Sequence, residues 1–78
     1  MRIVIKGTKT VEEFLFVQKL IEEQAEICYK QHKNSMEKWG NGEPVKAWKD
    51  IDDNICIEYE NGNWWHYKIS ENKKVVWW

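Results

Sequence analysis

The sequence predicts an α+β domain in which one long helix packs on an antiparallel sheet of four to five strands, in the order β-α-β-β-β-β. Three observations carry this. A helical apolar period runs from residue 10 toward residue 39. The second half holds short runs rich in Ile, Val, Trp and Tyr, separated by turn residues. One of those separators is Asn61-Gly62, a strong hairpin signal.

Arg2 to Lys6 reads as a short strand, with Ile3 and Ile5 on one side. Gly7-Thr8-Lys9 turns the chain. Thr10 and Glu13 form a capping box, in which the hydroxyl accepts from an orphan amide and the acid reaches back. Glu12 and Glu13 suit the positive end of the helix dipole, and Lys38 suits the negative end. The pattern can continue to Trp39, with Gly40 as a left-handed stop, and Asn34-Ser35 is a point where it can break. An unbroken helix would be about 43 Å long at 1.5 Å per residue. Strands of five to seven residues span only about 17–24 Å, so the helix overhangs its sheet or breaks near Asn34.

Around this helix, Phe14, Val17, Ile21, Ala25, Cys28, His32 and Trp39 share the core-facing stripe. Glu12, Lys19, Glu22, Glu23, Glu26, Lys30 and Lys33 form a charged wedge. Phe16, Leu20 and Ile27 fall within about 40° of one another on a flank away from the core. They either pack under the first strand or the C-terminal loop, or form a self-association face.

Beyond the loop Asn41 to Pro44, strands are expected at Val45 to Ile51, Ile55 to Glu60, Trp64 to Ser70 and Val75 to Trp78. Asp52-Asp53-Asn54 is a turn. The hairpin register follows from amphipathicity. A two-residue loop mixes apolar and polar side chains on both faces. A three-residue loop, Glu60-Asn61-Gly62 with Gly62 left-handed, pairs Ile57 with Trp65, Ile55 with Tyr67, Cys56 with His66 and Glu58 with Trp64. One face is then Ile55, Ile57, Tyr59, Trp65, Tyr67 and Ile69. The other displays Trp64, His66, Lys68 and Glu58. Trp48 joins the second face if Val45, Ala47 and Ile51 point inward. Alternation sends one of Trp77 and Trp78 there as well without saying which, and Trp78 is carried as the candidate.

The chain has 78 residues, a net charge of −1 and six tryptophans. So small a core cannot hide six indoles, so some ring surface should be exposed. Arg2 is the single arginine. That composition disfavours a duplex nucleic-acid binder, which draws on a basic excess and on bidentate arginines. The two cysteines make no disulfide framework. No secretory signal or span of ~18–20 apolar residues is present, so a cytoplasmic protein with reduced thiols is expected.

Chemistry-bearing groups are few. Cys28 and His32, at i and i+4, could join Cys56 and His66 in a zinc site. The register places the two pairs on opposite sides of the sheet, so no metal and no cofactor are expected. Cys56 and His66 could form a nucleophilic pair, but no third, orienting residue is evident. Asp50, Asp52 and Asp53 read as turn and strand-end residues. The Gly7-Thr8-Lys9-Thr10 string lacks the upstream glycine of a phosphate loop. The expectation is a protein that is not an enzyme.

The string YENGNWWHYKISENKKVVWW, Tyr59 to Trp78, resembles small orphan proteins of phages and prophages in low-GC Gram-positive bacteria, over about a quarter of the chain. The resemblance implies a short accessory protein, an inhibitor or adaptor that acts by binding, in some cases against a host defence system. It carries over no functional residue. The expected role is a self-associating protein-binding module, dimeric through Phe16, Leu20 and Ile27. Its partner site would be the sheet face of Trp64, His66, Lys68, Glu58, Trp48 and Trp78. The alternative is single-stranded nucleic acid stacked on the same face.

Overall fold

Thr10 starts the helix as its side chain requires: it accepts from the Glu13 amide at 3.0 Å, while Glu13 reaches back to the Lys9 amide at 3.3 Å. In the computed structural model, which describes residues 1–78, six elements follow in chain order. They are β1 (Arg2–Ile3), α1 (Val11–Asn34), β2 (Pro44–Lys49), β3 (Ile55–Tyr59), β4 (Trp64–Ile69) and β5 (Val75–Trp77). The sheet order is β1-β2-β3-β4-β5, and α1 packs on one face. The α+β architecture is as the sequence predicts.

The sheet is mixed rather than wholly antiparallel. β1 runs parallel to β2, pairing Arg2 with Lys46 and Ile3 with Ala47. The helix between them supplies the crossover that parallel neighbours need. β1 is also shorter than the expected Arg2 to Lys6. Val4 adds one bond to the Ala47 carbonyl, and the chain then leaves the sheet edge.

The helix ends at Asn34, not at Trp39. Ser35 caps it in a right-handed conformation, its amide bonding to the Gln31 and His32 carbonyls and its hydroxyl to His32 O at 2.7 Å. Gly40 is not a left-handed stop; of the two glycines in the loop after the helix, Gly42 takes that conformation, at φ +80°. The break lets Trp39 fold back over the helix end. Its ring meets Tyr29, Tyr59 and His32, and its Nε1 donates to Gly42 O at 2.7 Å.

Even shortened, α1 is about 36 Å long at 1.5 Å per residue, and its buried residues begin only at Ile21. Phe14, on the core-facing stripe, is therefore exposed rather than covered. Phe16, Leu20 and Ile27 are 70%, 37% and 38% exposed. Phe16 is thus largely open to solvent, and Leu20 and Ile27 each keep more than a third of their surface exposed.

The β3–β4 hairpin has the three-residue loop. Tyr59 N donates to Asn63 O, Gly62 N donates to Tyr59 O, and Gly62 sits at φ +88°. Its pairs are Ile57–Trp65, Ile55–Tyr67, Cys56–His66 and Glu58–Trp64, as amphipathicity requires. β2 departs from expectation. A bulge between Pro44 and Lys46 breaks the alternation. Ala47 alone of the three residues expected inward is buried; Val45 is exposed, and Ile51 lies in the following turn, fully exposed.

The core joins Ile21, Ala25, Cys28 and Tyr29 of α1 to Ala47, Ile55, Ile57, Tyr59, Tyr67 and Val75 of the sheet. His32 is buried beside it, 1% exposed. Trp39, Trp65, Tyr67 and Trp77 surround its ring, with centroids 4.5–5.5 Å away. Its Nδ1 is 2.7 Å from Tyr67 Oη, which is 2.7 Å from Tyr59 Oη. Burial lowers the His32 pKa from its ordinary value, so the ring is held neutral.

Candidate interaction face

The sheet face opposite α1 has no element over it. Alternation along β4 points Trp64, His66 and Lys68 there, while Trp65, Tyr67 and Ile69 face the helix. Across the strands, one row is Trp48, Cys56, His66 and Trp78. A second row is Lys46, Glu58 and Trp64. Trp78 lies beyond the last residue of β5, but its amide and carbonyl exchange hydrogen bonds with His66, at 3.1 and 3.0 Å. That exchange decides between the terminal tryptophans: Trp77 pairs with Tyr67 and stacks on His32, and Trp78 faces outward.

The rings form one continuous run. Lys46 Nζ lies 5.0 Å from the Trp48 centroid. Trp48 and Trp64 are 5.5 Å apart, Trp64 and His66 4.9 Å, and His66 and Trp78 5.2 Å, the last pair stacked within 3° of parallel. Trp64 is 50% and Trp78 52% exposed; Trp48, His66 and Glu58 are half-buried, and Lys68 is exposed. All six sheet-face residues expected from the sequence are thus on one face. Val76, opposite Lys68 and exposed, extends its apolar surface, and sequence alternation beside Trp78 could have found it.

Cys56 lies in this face yet is fully buried and outside the helix-side core. Its cross-strand neighbours are Trp48 and His66, so the larger rings close over it. Burial, reinforced by the nearby Asp50 charge, pushes its thiol up to about 11. It is protonated at neutral pH and is no ready nucleophile.

Asp50 is the residue that the sequence reading did not place in a site. It does hold the turn after β2, as its position suggests. Its Oδ1 accepts from the Asp52 and Asn54 amides, both at 2.9 Å, and its Oδ2 from Asn54 Nδ2 at 3.2 Å. Desolvation raises its pKa, but the Asn54 and Asp52 hydrogen bonds and the His66 ring outweigh this and hold the carboxyl below its ordinary value. The same turn brings Oδ2 to 4.0 Å from His66 Nε2. One donor atom each of Asp50, Cys56 and His66 lies within 4.8 Å of the other two. A nucleophile–base–acid relay would put the thiol and the carboxylate on opposite nitrogens of the imidazole. Here a single nitrogen of His66 faces both, and the thiol is protonated.

The four-residue zinc set does not assemble. Cys28 and His32 are in the helix-side core and Cys56 and His66 in the opposite face. Burial pushes the Cys28 thiol up to about 12. A cleft of about 580 Å³ opens where β1 ends, floored by Ile5, Val17, Ile21 and Trp48 and edged by Lys6, Lys46 and Lys49. No helix is long and apolar enough to cross a membrane. Compared with known family models, curated proteins and solved structures, the chain matches none.

Proposed function

We propose that this chain is a non-enzymatic protein-binding module, a small adaptor or inhibitor of the kind its C-terminal resemblance implies. Its partner site is the run Trp48, Trp64, His66 and Trp78 with Glu58 and Lys68. The single observation that carries this is an uncovered sheet face on which two tryptophans are each about half exposed. Exposed indoles packed against a shared imidazole, as Trp64 and Trp78 are against His66, form the type of patch that anchors protein interfaces. The charges around it have both signs, Lys46 and Lys68 against Glu58 and Asp50. That balance favours a mixed polar rim over a phosphate-tracking groove. The uncovered flank of Phe16, Leu20 and Ile27 is proposed as the self-association surface.

The test is affinity capture from the native host with wild type, Trp64→Ala and Leu20→Ala, followed by affinity measurement with the purified partner. Trp64→Ala is expected to weaken binding by at least ~2 kcal/mol, about 30-fold. Leu20→Ala is expected to keep the partner and to shift the concentration dependence of sedimentation toward monomer. A partner held equally by wild type and Trp64→Ala overturns the assignment of the sheet face. The rival reading, single-stranded nucleic acid, is favoured by the Lys46–Trp48 stack. Oligonucleotide affinity falling steeply with salt would establish it instead; no binding at low salt eliminates it.

A further inference from the structure

We propose that Asp50, Cys56 and His66 form a binding site for one zinc-type divalent metal ion per chain. The three residues offer an oxygen, a sulfur and a nitrogen, each within 4.8 Å of the other two. In a tetrahedral zinc site, bonds of about 2.0–2.3 Å put donors about 3.5 Å apart. Closing the observed span takes a movement of about 1 Å, within reach of side-chain rotation. Hard cations such as magnesium and calcium prefer all-oxygen shells; a mixed sulfur, nitrogen and oxygen set selects zinc or cobalt.

Each ligand is held by its surroundings. Two backbone amides on Oδ1 of Asp50 and Asn54 Nδ2 on its Oδ2 fix the carboxylate with Oδ2 4.0 Å from His66 Nε2, the kind of outer hydrogen bonding that orients a coordinating carboxylate. The His66 ring is braced between Trp64 and Trp78. Cys56 comes from a central strand of the sheet, paired on both sides. The carboxylate of Asp50 and the thiolate of Cys56 neutralise a divalent ion, with the thiol proton released to buffer as the metal–sulfur bond forms. His66 and Asp50 retain side-chain exposures of 31% and 20%, which gives the ion a path from solvent. Three protein ligands leave a fourth position for water or for a donor from the bound partner.

The test is cobalt titration of metal-stripped full-length protein, followed by absorption. One equivalent per chain is expected to produce a sulfur-to-cobalt charge-transfer band with the intense visible bands of tetrahedral cobalt, both removed by added zinc. Cys56→Ser should abolish the charge-transfer band. His66→Gln and Asp50→Asn, at partly exposed positions, should keep the native circular dichroism and weaken cobalt binding by on the order of 100-fold. Absence of the band in wild type, or its persistence in Cys56→Ser, overturns the site. Unchanged affinity in natively folded His66→Gln or Asp50→Asn does so as well. The readout needs no partner, so it stands or falls separately from the protein-binding proposal.

Discussion

Tyr67→Ala is expected to leave most of the chain unfolded at room temperature. The side chain is fully buried where β4 meets the helix, and truncating a buried aromatic costs ~3–5 kcal/mol. A single core of this size supplies only ~3–5 kcal/mol in total, so the loss matches the whole margin. Tyr67→Phe separates packing from hydrogen bonding. It keeps the ring but strips the hydroxyl that joins His32 Nδ1 to Tyr59 Oη. Two buried polar groups then lose a partner, and the expected cost is ~1–3 kcal/mol. Urea unfolding followed by tryptophan fluorescence measures both. The phenylalanine variant should lower the midpoint without changing the slope with denaturant. Wild-type stability in Tyr67→Phe would show that the His32–Tyr67–Tyr59 chain contributes nothing.

Acidification is expected to destabilise the protein from about pH 6.5 downward, through His32. Burial holds its folded pKa below the ordinary value of 6.5. As pH falls through 6.5 the unfolded chain takes up a proton that the folded chain refuses. The unfolded state then binds more protons, so stability rises with pH. The His32 contribution is fully present above its unfolded pKa and is lost progressively as pH falls toward the folded one. Within that window one proton sets an upper limit on the slope of ~1.4 kcal/mol per pH unit. The four aromatic rings around the imidazole offer no acceptor to a newly formed cation beyond Tyr67, and Nε2 has no hydrogen-bond partner. His32→Phe, which keeps a ring against Trp77, should flatten the stability profile below pH 6.5. An equally steep profile in that variant would place the acid sensitivity elsewhere.

Much of the sheet was legible because its determinants are local. Gly62 permits the left-handed loop residue, and a one-residue slip would turn Ile57 and Tyr67 toward solvent. Local chemistry and amphipathicity therefore select the same register, and with it the outward set Glu58, Trp64, His66 and Lys68. Helix initiation at Thr10 was legible for the same reason. Its end was not. The apolar period continues to Trp39, and only the packing of that indole on Tyr29 and Tyr59 makes a break at Asn34 preferable. β2 was misjudged at its ends because its bulge and the Asp50–Asn54 turn interrupt the period-two pattern.

The candidate metal site shows the division most sharply. Cys56 and His66 could be paired from sequence, since they share a hairpin. Asp50 joins them only because the β2–β3 turn directs its second oxygen across the sheet face, a contact that no spacing rule encodes. Sequence alone determined the α+β class, the hairpin register and the division of Trp64 from Trp65, since these depend on side-chain alternation and turn residues close together in the chain. Tertiary structure decided the parallel first strand, the outward turn of Trp78, the exposed helix flank and the meeting of Asp50 with Cys56 and His66. Each of those depends on how elements distant in sequence compete for the same buried surface.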